Sequence, residues 1–173
     1  AKRMDGNWEE NFVPEAVGRE FTEATAWQYR FFVPHDVNGM VNLFGGTEDF
    51  TQALDDLFST TKGVEGHQSD ITGLIGQYAH GNEPSHHMAY LYNYIGQPWK
   101  TQAMTRRLLD EMYAPTPEGI VGNEDCGQMS AWYIMSAMGF YPVCPGSNEF
   151  ALTTPIFEQV DLQLANGKTL TIT

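Results

Sequence analysis

Apolar residues recur at helical spacing through most of the first 140 residues and at every second position after that, so two kinds of element follow one another along the chain. The helical pattern predicts helices over residues 21–32, 37–43, 48–58, 70–78, 84–95, 98–113 and 128–139. Thr47 reads as an N-cap ahead of an apolar stripe at Ala53, Leu54 and Leu57. Gln97-Pro98 puts proline where a helix starts, and Leu108, Leu109 and Met112 continue that helix's buried face. After Phe140, the runs Phe150, Leu152, then Val160, Leu162, Leu164, then Leu170, Ile172 alternate with polar residues, as half-buried strands do. Asn166-Gly167 between the last two runs signals a two-residue hairpin. The expected fold is mainly α, with short C-terminal β-strands: residues 1–140 helical, residues 141–173 a β-strand region. There is no clean internal repeat. Several helices of similar length, joined by polar, aromatic-rich loops, suit part of a toroidal helical barrel, with the missing helices supplied by a preceding portion of the polypeptide.

Composition narrows the possible roles. Apolar residues make up 42% of the 173, charged residues 18%, with 17 glycines and 9 prolines, which is a globular composition rich in turns. Nine basic residues against 22 acidic ones give a formal charge of −13, a field that repels phosphate backbones and anionic membranes. Nucleic acid is therefore not expected as a partner, whereas neutral polar substrates and hard cations are compatible. No apolar stretch is long enough for a membrane span, and the first residues carry no signal-peptide apolar region. The chain begins without methionine, which points to processing or to a piece of a longer protein. Cys126 and Cys144 have no zinc-ribbon spacing.

Three loop-to-helix junctions concentrate carboxylates, amides and aromatic rings. They place Glu23 with Trp27 and Gln28, Glu83 with Asn82, His86 and His87, and Glu124 and Asp125 with Gln128 and Trp132. Such sets suit a sugar, because rings cover the C–H face of a hexose, amides and carboxylates bind its hydroxyls, and glycoside hydrolysis needs two carboxylates. Plainer roles compete at every position. Glu23 alone reads as a solvated helix residue or capping partner, and Asn123-Glu124-Asp125 at a helix head reads as N-capping. Glu83, His86 and His87 stand at i, i+3 and i+4, so on a helix Glu83 and His87 would share a face able to bind a metal, but the motif lacks the paired histidines of H-E-x-x-H, so a catalytic zinc is not the expectation.

The strings FTEATAWQYRFFVPHD, ITGLIGQYAHGNEPSHHMAYLYNYIGQPWKTQ and GNEDCGQMSAWYIMSAMGFYPVCPG occur in this order and together span most of the chain. They resemble the signature blocks of glycoside hydrolase family 92 α-mannosidases. The resemblance implies an N-terminal β-sandwich followed by an (α/α)6 barrel, with this chain supplying the later barrel helices and the strands after them. It implies hydrolysis of terminal α-mannosides with inversion, which needs a general acid and a general base acting on opposite faces of the sugar. By position, Glu23 matches the acid and Asp125 the base, with Glu124 as the adjacent alternative. The two carboxyls are expected roughly 6.5–9.5 Å apart in a complete, liganded site.

The resemblance also implies a bound Ca2+, for which Glu83 and Asp125 are the protein-side choices. Trp27, Gln28, Asn82, Glu83, His86, His87 and Gln128 are the expected substrate-binding residues. Members preferring α-1,2 linkages can carry histidine before the glutamate; Asn82 occupies that position here. The partners implied are mannose-containing glycans, N-glycans among them, and the rest of the same polypeptide. The implied location is periplasmic, cell-surface or secreted, in a bacterium. The competing expectation is a non-catalytic carbohydrate-binding or structural fragment without the N-terminal half of the site.

Overall fold

The computed structural model describes residues 2–18 and 20–173. The chain forms two compact units: residues up to His86 together with Val121–Asn123, and His87–Ile120 together with Glu124–Thr173. Helices and short two-stranded sheets make up both.

The first unit is built around α2 (Val37–Leu43) and α3 (Thr47–Ser59). The start of α2 is fixed by Asp36, whose carboxylate accepts from the Gly39 amide at 2.8 Å and occupies a donor that the helix itself leaves without a partner. For α3 the cap is Gly46, not Thr47: the cap position has φ 114, which glycine adopts without cost, and Thr47 becomes the first helical residue. Glu48 and Asp49 then lie in the positive first turn. The buried stripe of α3 is Phe50, Leu54, Leu57 and Phe58. Phe50 meets Phe44 edge-on at 5.1 Å, and Phe44 stacks on Phe31 at 5.4 Å.

Leu54 is fully buried at the centre of that stripe. Leu54→Ala in the full-length protein should therefore cost about 2–5 kcal/mol of unfolding free energy. Denaturant titration followed by near-UV circular dichroism checks this, and a loss below about 1 kcal/mol would show that α3 is not core.

Two expected helices in this unit are not formed as drawn. Residues 70–78 are not helical; Leu74–Ile75 (β1) and Tyr78–Ala79 (β2) pair as a tight hairpin in the register Leu74↔Ala79 and Ile75↔Tyr78. Gly73 (φ 61) and Gly76 (φ 59) break the helix by taking left-handed conformations. Gly76 also lies so near the end of α3 that a Cβ would sit 2.3 Å from the Leu57 carbonyl oxygen. That carbonyl accepts instead from the Gln77 amide at 2.8 Å. The expected helix over 21–32 contracts to α1 (Ala26–Tyr29), because Glu23 (φ 54) cannot lie on a right-handed helix.

The expected helix over 84–95 winds right-handed throughout, but tightly, as 3-10 turns at Glu83–Ser85 and Met88–Tyr90 before α4 (Leu91–Tyr94). With about three residues per turn, Glu83 shares a face with His86 rather than with His87.

In the second unit, α5 (Pro98–Met112) begins with its proline in the first turn, as expected, and buries Thr101, Thr105, Leu108, Leu109 and Met112. The two buried threonines find partners: Thr101 donates to the Ala89 carbonyl at 2.9 Å, and Thr105 pairs with Thr153 at 2.6 Å. Helix α6 (Gln128–Met138) buries Met129, Trp132, Ser136 and Ala137, and left-handed Gly139 (φ 97) ends it.

Strands follow α6 at once. Phe140–Tyr141 (β3) pairs with Ala151–Leu152 (β4), and Val160–Gln163 (β5) pairs with Thr169–Ile172 (β6). The last hairpin closes differently from the two-residue turn expected. Leu164 N–H donates to Lys168 O at 2.8 Å, and Gly167 N–H to Leu164 O at 2.9 Å, leaving a three-residue loop whose final residue, Gly167, is left-handed (φ 79).

Candidate active site

Each of the three sequence junctions has its own local architecture. In the first, the residues after Glu23 are locked into the interior. Ala24, Thr25 and Gln28 are buried. Gln28 uses both ends of its amide, accepting from the Thr25 N–H at 2.7 Å and donating to the Gln77 carbonyl at 2.6 Å. Gln77 in turn donates to the Lys62 and Gly63 carbonyls at 3.0 and 3.1 Å. Gln28, expected against substrate, is thus a structural clamp for the start of α1 in this structure.

Trp27 is half-buried, with Arg30 over its ring at 4.7 Å and its indole N–H donating to Glu15 at 3.3 Å. Its ring also lines a cavity of about 420 Å³ with Phe12, Pro14, Phe21, Tyr29 and Arg30. Glu23 itself points its side chain to solvent, while its carbonyl oxygen accepts from Asn82 Nδ2 at 2.5 Å.

The second junction is a buried histidine loop. Tyr78 O–H lies 2.8 Å from His80 Nδ1, and the His80 and His86 rings meet at a tilt of 32° with centroids 5.1 Å apart. His86 donates its Nε2–H to the His80 carbonyl at 2.9 Å. Burial, with His86 alongside, pushes His80 down to about 3, so it stays neutral. His86 and Asn82 are almost wholly buried, and so is His87 in the second unit. Glu83, at the start of its 3-10 turn, is half-buried. Among the described residues, no group of three or more His, Cys, Asp or Glu is placed to hold a metal ion.

The third junction separates two adjacent carboxylates. Glu124 caps α6: its carboxylate accepts from the Ser130 N–H at 3.1 Å and from the Gly127 N–H. Hydrogen bonding from Ser130, and then from Gly127, holds the Glu124 carboxyl below its usual range. Asp125 takes no part in this cap, and its side chain is exposed. Gln128, at the head of α6, donates to the Tyr141 hydroxyl at 3.2 Å. Trp132, in the same helix, is fully buried core.

One backbone feature singles out two of these carboxylates. Among the described residues, only three other than glycine have positive φ: Glu23 (54°), Asp125 (50°) and Cys126 (56°). Each costs of order 1–3 kcal/mol and persists only where the surroundings impose it, and such positions cluster at active sites.

Comparison with known proteins agrees with the three signature blocks. The profile described as "Glycosyl hydrolase family 92 catalytic domain" matches residues 1–173. The chain belongs to glycosyl hydrolase family 92.

Solved members of the family resemble it closely. A family GH92 α-mannosidase from Bacteroides thetaiotaomicron in complex with mannoimidazole is 41% identical, with TM-score 0.87 over 97% of this chain and 23% of that one. A second protein of that organism, described as a family GH92 inverting mannosidase, is 42% identical, with TM-score 0.81 over 96% of this chain and 24% of that one. An uncharacterized secreted glycosidase from Arthroderma benhamiae is 33% identical over 155 residues, covering 89% of this chain and 18% of that protein. The chain therefore spans about a fifth of the length of the relatives it matches.

In this family 92 chain, sequence reasoning missed the residues that hold the candidate carboxylates. Gln77, Tyr78 and His80 were read as parts of a helix and a loop; in the folded unit they clamp α1 and the loop carrying Asn82 and Glu83. The available signal was the glycine spacing Gly73, Gly76 and Gly81, which marks a hairpin rather than a helix.

Proposed function

We propose that the complete protein containing this chain is an exo-acting, calcium-dependent α-mannosidase that removes terminal α-mannosides with inversion, using Glu23 as general acid and Asp125 as general base. The observation that carries the proposal is the left-handed backbone at these two carboxylates in a family 92 chain. Related solved proteins are described as α-mannosidases, one of them as inverting.

In this scheme Glu23 gives its proton to the glycosidic oxygen as the bond to the anomeric carbon breaks. Asp125 takes a proton from the water attacking the opposite face, so α-linked mannose leaves as the β-anomer. Asp125 is preferred to Glu124 because Glu124 is occupied in capping α6.

Calcium fits the chemistry of the donors, since Glu83 and Asp125 offer hard carboxylate oxygens. With so few acidic groups clustered, the ion would take the rest of its oxygens from amides, backbone carbonyls, water or the sugar. When bound, it would help orient and distort the mannose ring. The remaining barrel helices, and a β-sandwich ahead of them, would come from the rest of the polypeptide. A secreted, periplasmic or cell-surface setting accords with the secreted relative.

The experiment is an assay of the full-length protein on α-1,2-, α-1,3-, α-1,4- and α-1,6-mannobiosides, with the released anomer followed by NMR. The β-anomer should appear first. Chelation should lower the rate at least about tenfold, and calcium should restore it. First appearance of α-mannose, or restoration by zinc alone, would overturn the proposal.

A further inference from the structure

Glu23 has its side chain in solvent and its backbone in a conformation that a non-glycine residue leaves unless held. Relaxing φ from 54° into the ordinary negative range would swing Cβ, and the carboxyl with it, to a different direction. What holds the residue is therefore what aims it. On the C-terminal side the hold is Ala24 and Thr25, both buried, with Thr25 donating its N–H to Gln28 and its hydroxyl to Gln77. On the N-terminal side Tyr29 O–H donates to the Thr22 carbonyl at 3.1 Å. The carbonyl of Glu23 itself is gripped by one group, the Nδ2 amide of Asn82, at 2.5 Å.

Asn82 is well built for this. It is 4% exposed, and its own main chain is tied at both ends: its N–H donates to Ala79 O at 3.4 Å, and its carbonyl accepts from Ser85 N–H at 3.1 Å. The surrounding loop is braced by the His86–His80 bond at 2.9 Å. It is also packed so closely that a Cβ on Gly81 would fall 1.9 Å from Thr72 Oγ1. A side chain this enclosed, with an amide hydrogen committed to a backbone carbonyl, is placed to fix another residue rather than to meet a sugar.

We propose that Asn82 is the positioning residue of the general acid: its amide holds the peptide after Glu23 so that the Glu23 carboxyl faces the leaving-group oxygen. The inference rests on the assignment of Glu23 as the acid. It assigns Asn82 to proton delivery instead of to substrate affinity, and the two roles give different kinetics. A misaimed acid lowers kcat for substrates whose leaving group needs a proton and spares those whose leaving group departs as a stable anion, whereas a weakened fold or a lost contact to the terminal mannose affects both alike, and a lost contact to the leaving-group sugar raises KM on the mannobioside and still adds its effect when the acid is gone.

The test uses the full-length protein and three variants read in the same way, so that a folding defect in one leaves the others: Asn82→Asp, which keeps the shape but loses the donor; Asn82→Ser, which is too short to reach; and Asn82→Gln, which keeps a donor one methylene further out. For Asp and Ser, kcat on a mannobioside should fall roughly 10–100-fold, the scale of a displacement of about 1 Å. On 2,4-dinitrophenyl α-mannoside the loss should stay within about threefold, with KM on the mannobioside changed little. Gln should recover part of the mannobioside rate.

Glu23→Gln is measured in parallel, alone and combined with Asn82→Ser. With the acid already gone, Asn82→Ser should add little, a non-additivity expected only if the two act on one step. Equal losses on both substrates, or a rise in KM with kcat intact, would overturn the positioning role while leaving the acid assignment standing. Loss of the leaving-group dependence in Glu23→Gln itself would overturn the acid assignment, and the inference with it.

Discussion

Asp125→Asn in the complete protein should reduce kcat by about 10²–10⁴-fold on every α-mannoside tested, irrespective of leaving group, because in the proposed scheme it removes the group that takes the proton from the attacking water. The substitution keeps size and shape, so KM should hardly move. Its control is the neighbouring residue. Glu124→Gln halves the set of capping acceptors for the Gly127 and Ser130 amides and should loosen the start of α6, yet leave turnover within a few-fold of the parent when assayed well below the melting temperature.

Glu124 also has a pH signature of its own. Because the folded chain holds the Glu124 carboxyl below its ordinary value, its contribution to stability is complete above the unfolded-state value, about 4.3, and is lost as pH falls through the folded-state value. Melting curves of parent and Glu124→Gln should therefore differ at neutral pH and converge in strong acid. A 10²-fold loss of turnover from Glu124→Gln, with Asp125→Asn nearly unaffected, would reverse the assignment of the base.

Glu23→Gln is the second large effect. Gln keeps the volume and the backbone demands of the position but has no acidic proton to give. Turnover of mannobiosides, whose leaving alkoxide is a strong base, should fall about 10²–10⁴-fold, whereas 2,4-dinitrophenyl α-mannoside should lose no more than a few-fold. Equal losses on both substrates would assign the proton to another residue.

The sequence was readable where local chemistry decides the structure. Residues 37–43 form a helix with the bounds expected, because Asp36 caps it and its apolar spacing is regular. Pro98 marks the first turn of α5, and Gly139 closes α6. It was unreadable where distant partners decide. Gln28 looks like a sugar ligand from its neighbours; its actual partner, Gln77, is 49 residues away. The hairpin at 74–79 carries a helix-like apolar spacing, and its left-handed φ together with the close approach to Leu57 explains why Gly76 must be glycine. Glu124 and Asp125 are adjacent in sequence and of like charge. What distinguishes them is which one the amides of α6 claim, and that depends on the left-handed turn at Asp125 and Cys126.

That turn also sets the terms on which the protein can vary. Asp125, Cys126 and Gly127 are left-handed in succession (φ 50°, 56° and 97°), so the segment leading into α6 stores conformational energy that the rest of the fold must cover. Asparagine and glycine occupy this region of backbone space more readily than aspartate or cysteine do. Substitutions that abolish the chemistry at Asp125 should therefore tend to leave the chain better folded, not worse. Selection for abundance and selection for turnover pull in opposite directions at this point. A gene copy released from selection on turnover would drift here toward asparagine or glycine, and would yield a durable protein rather than an unfolded one.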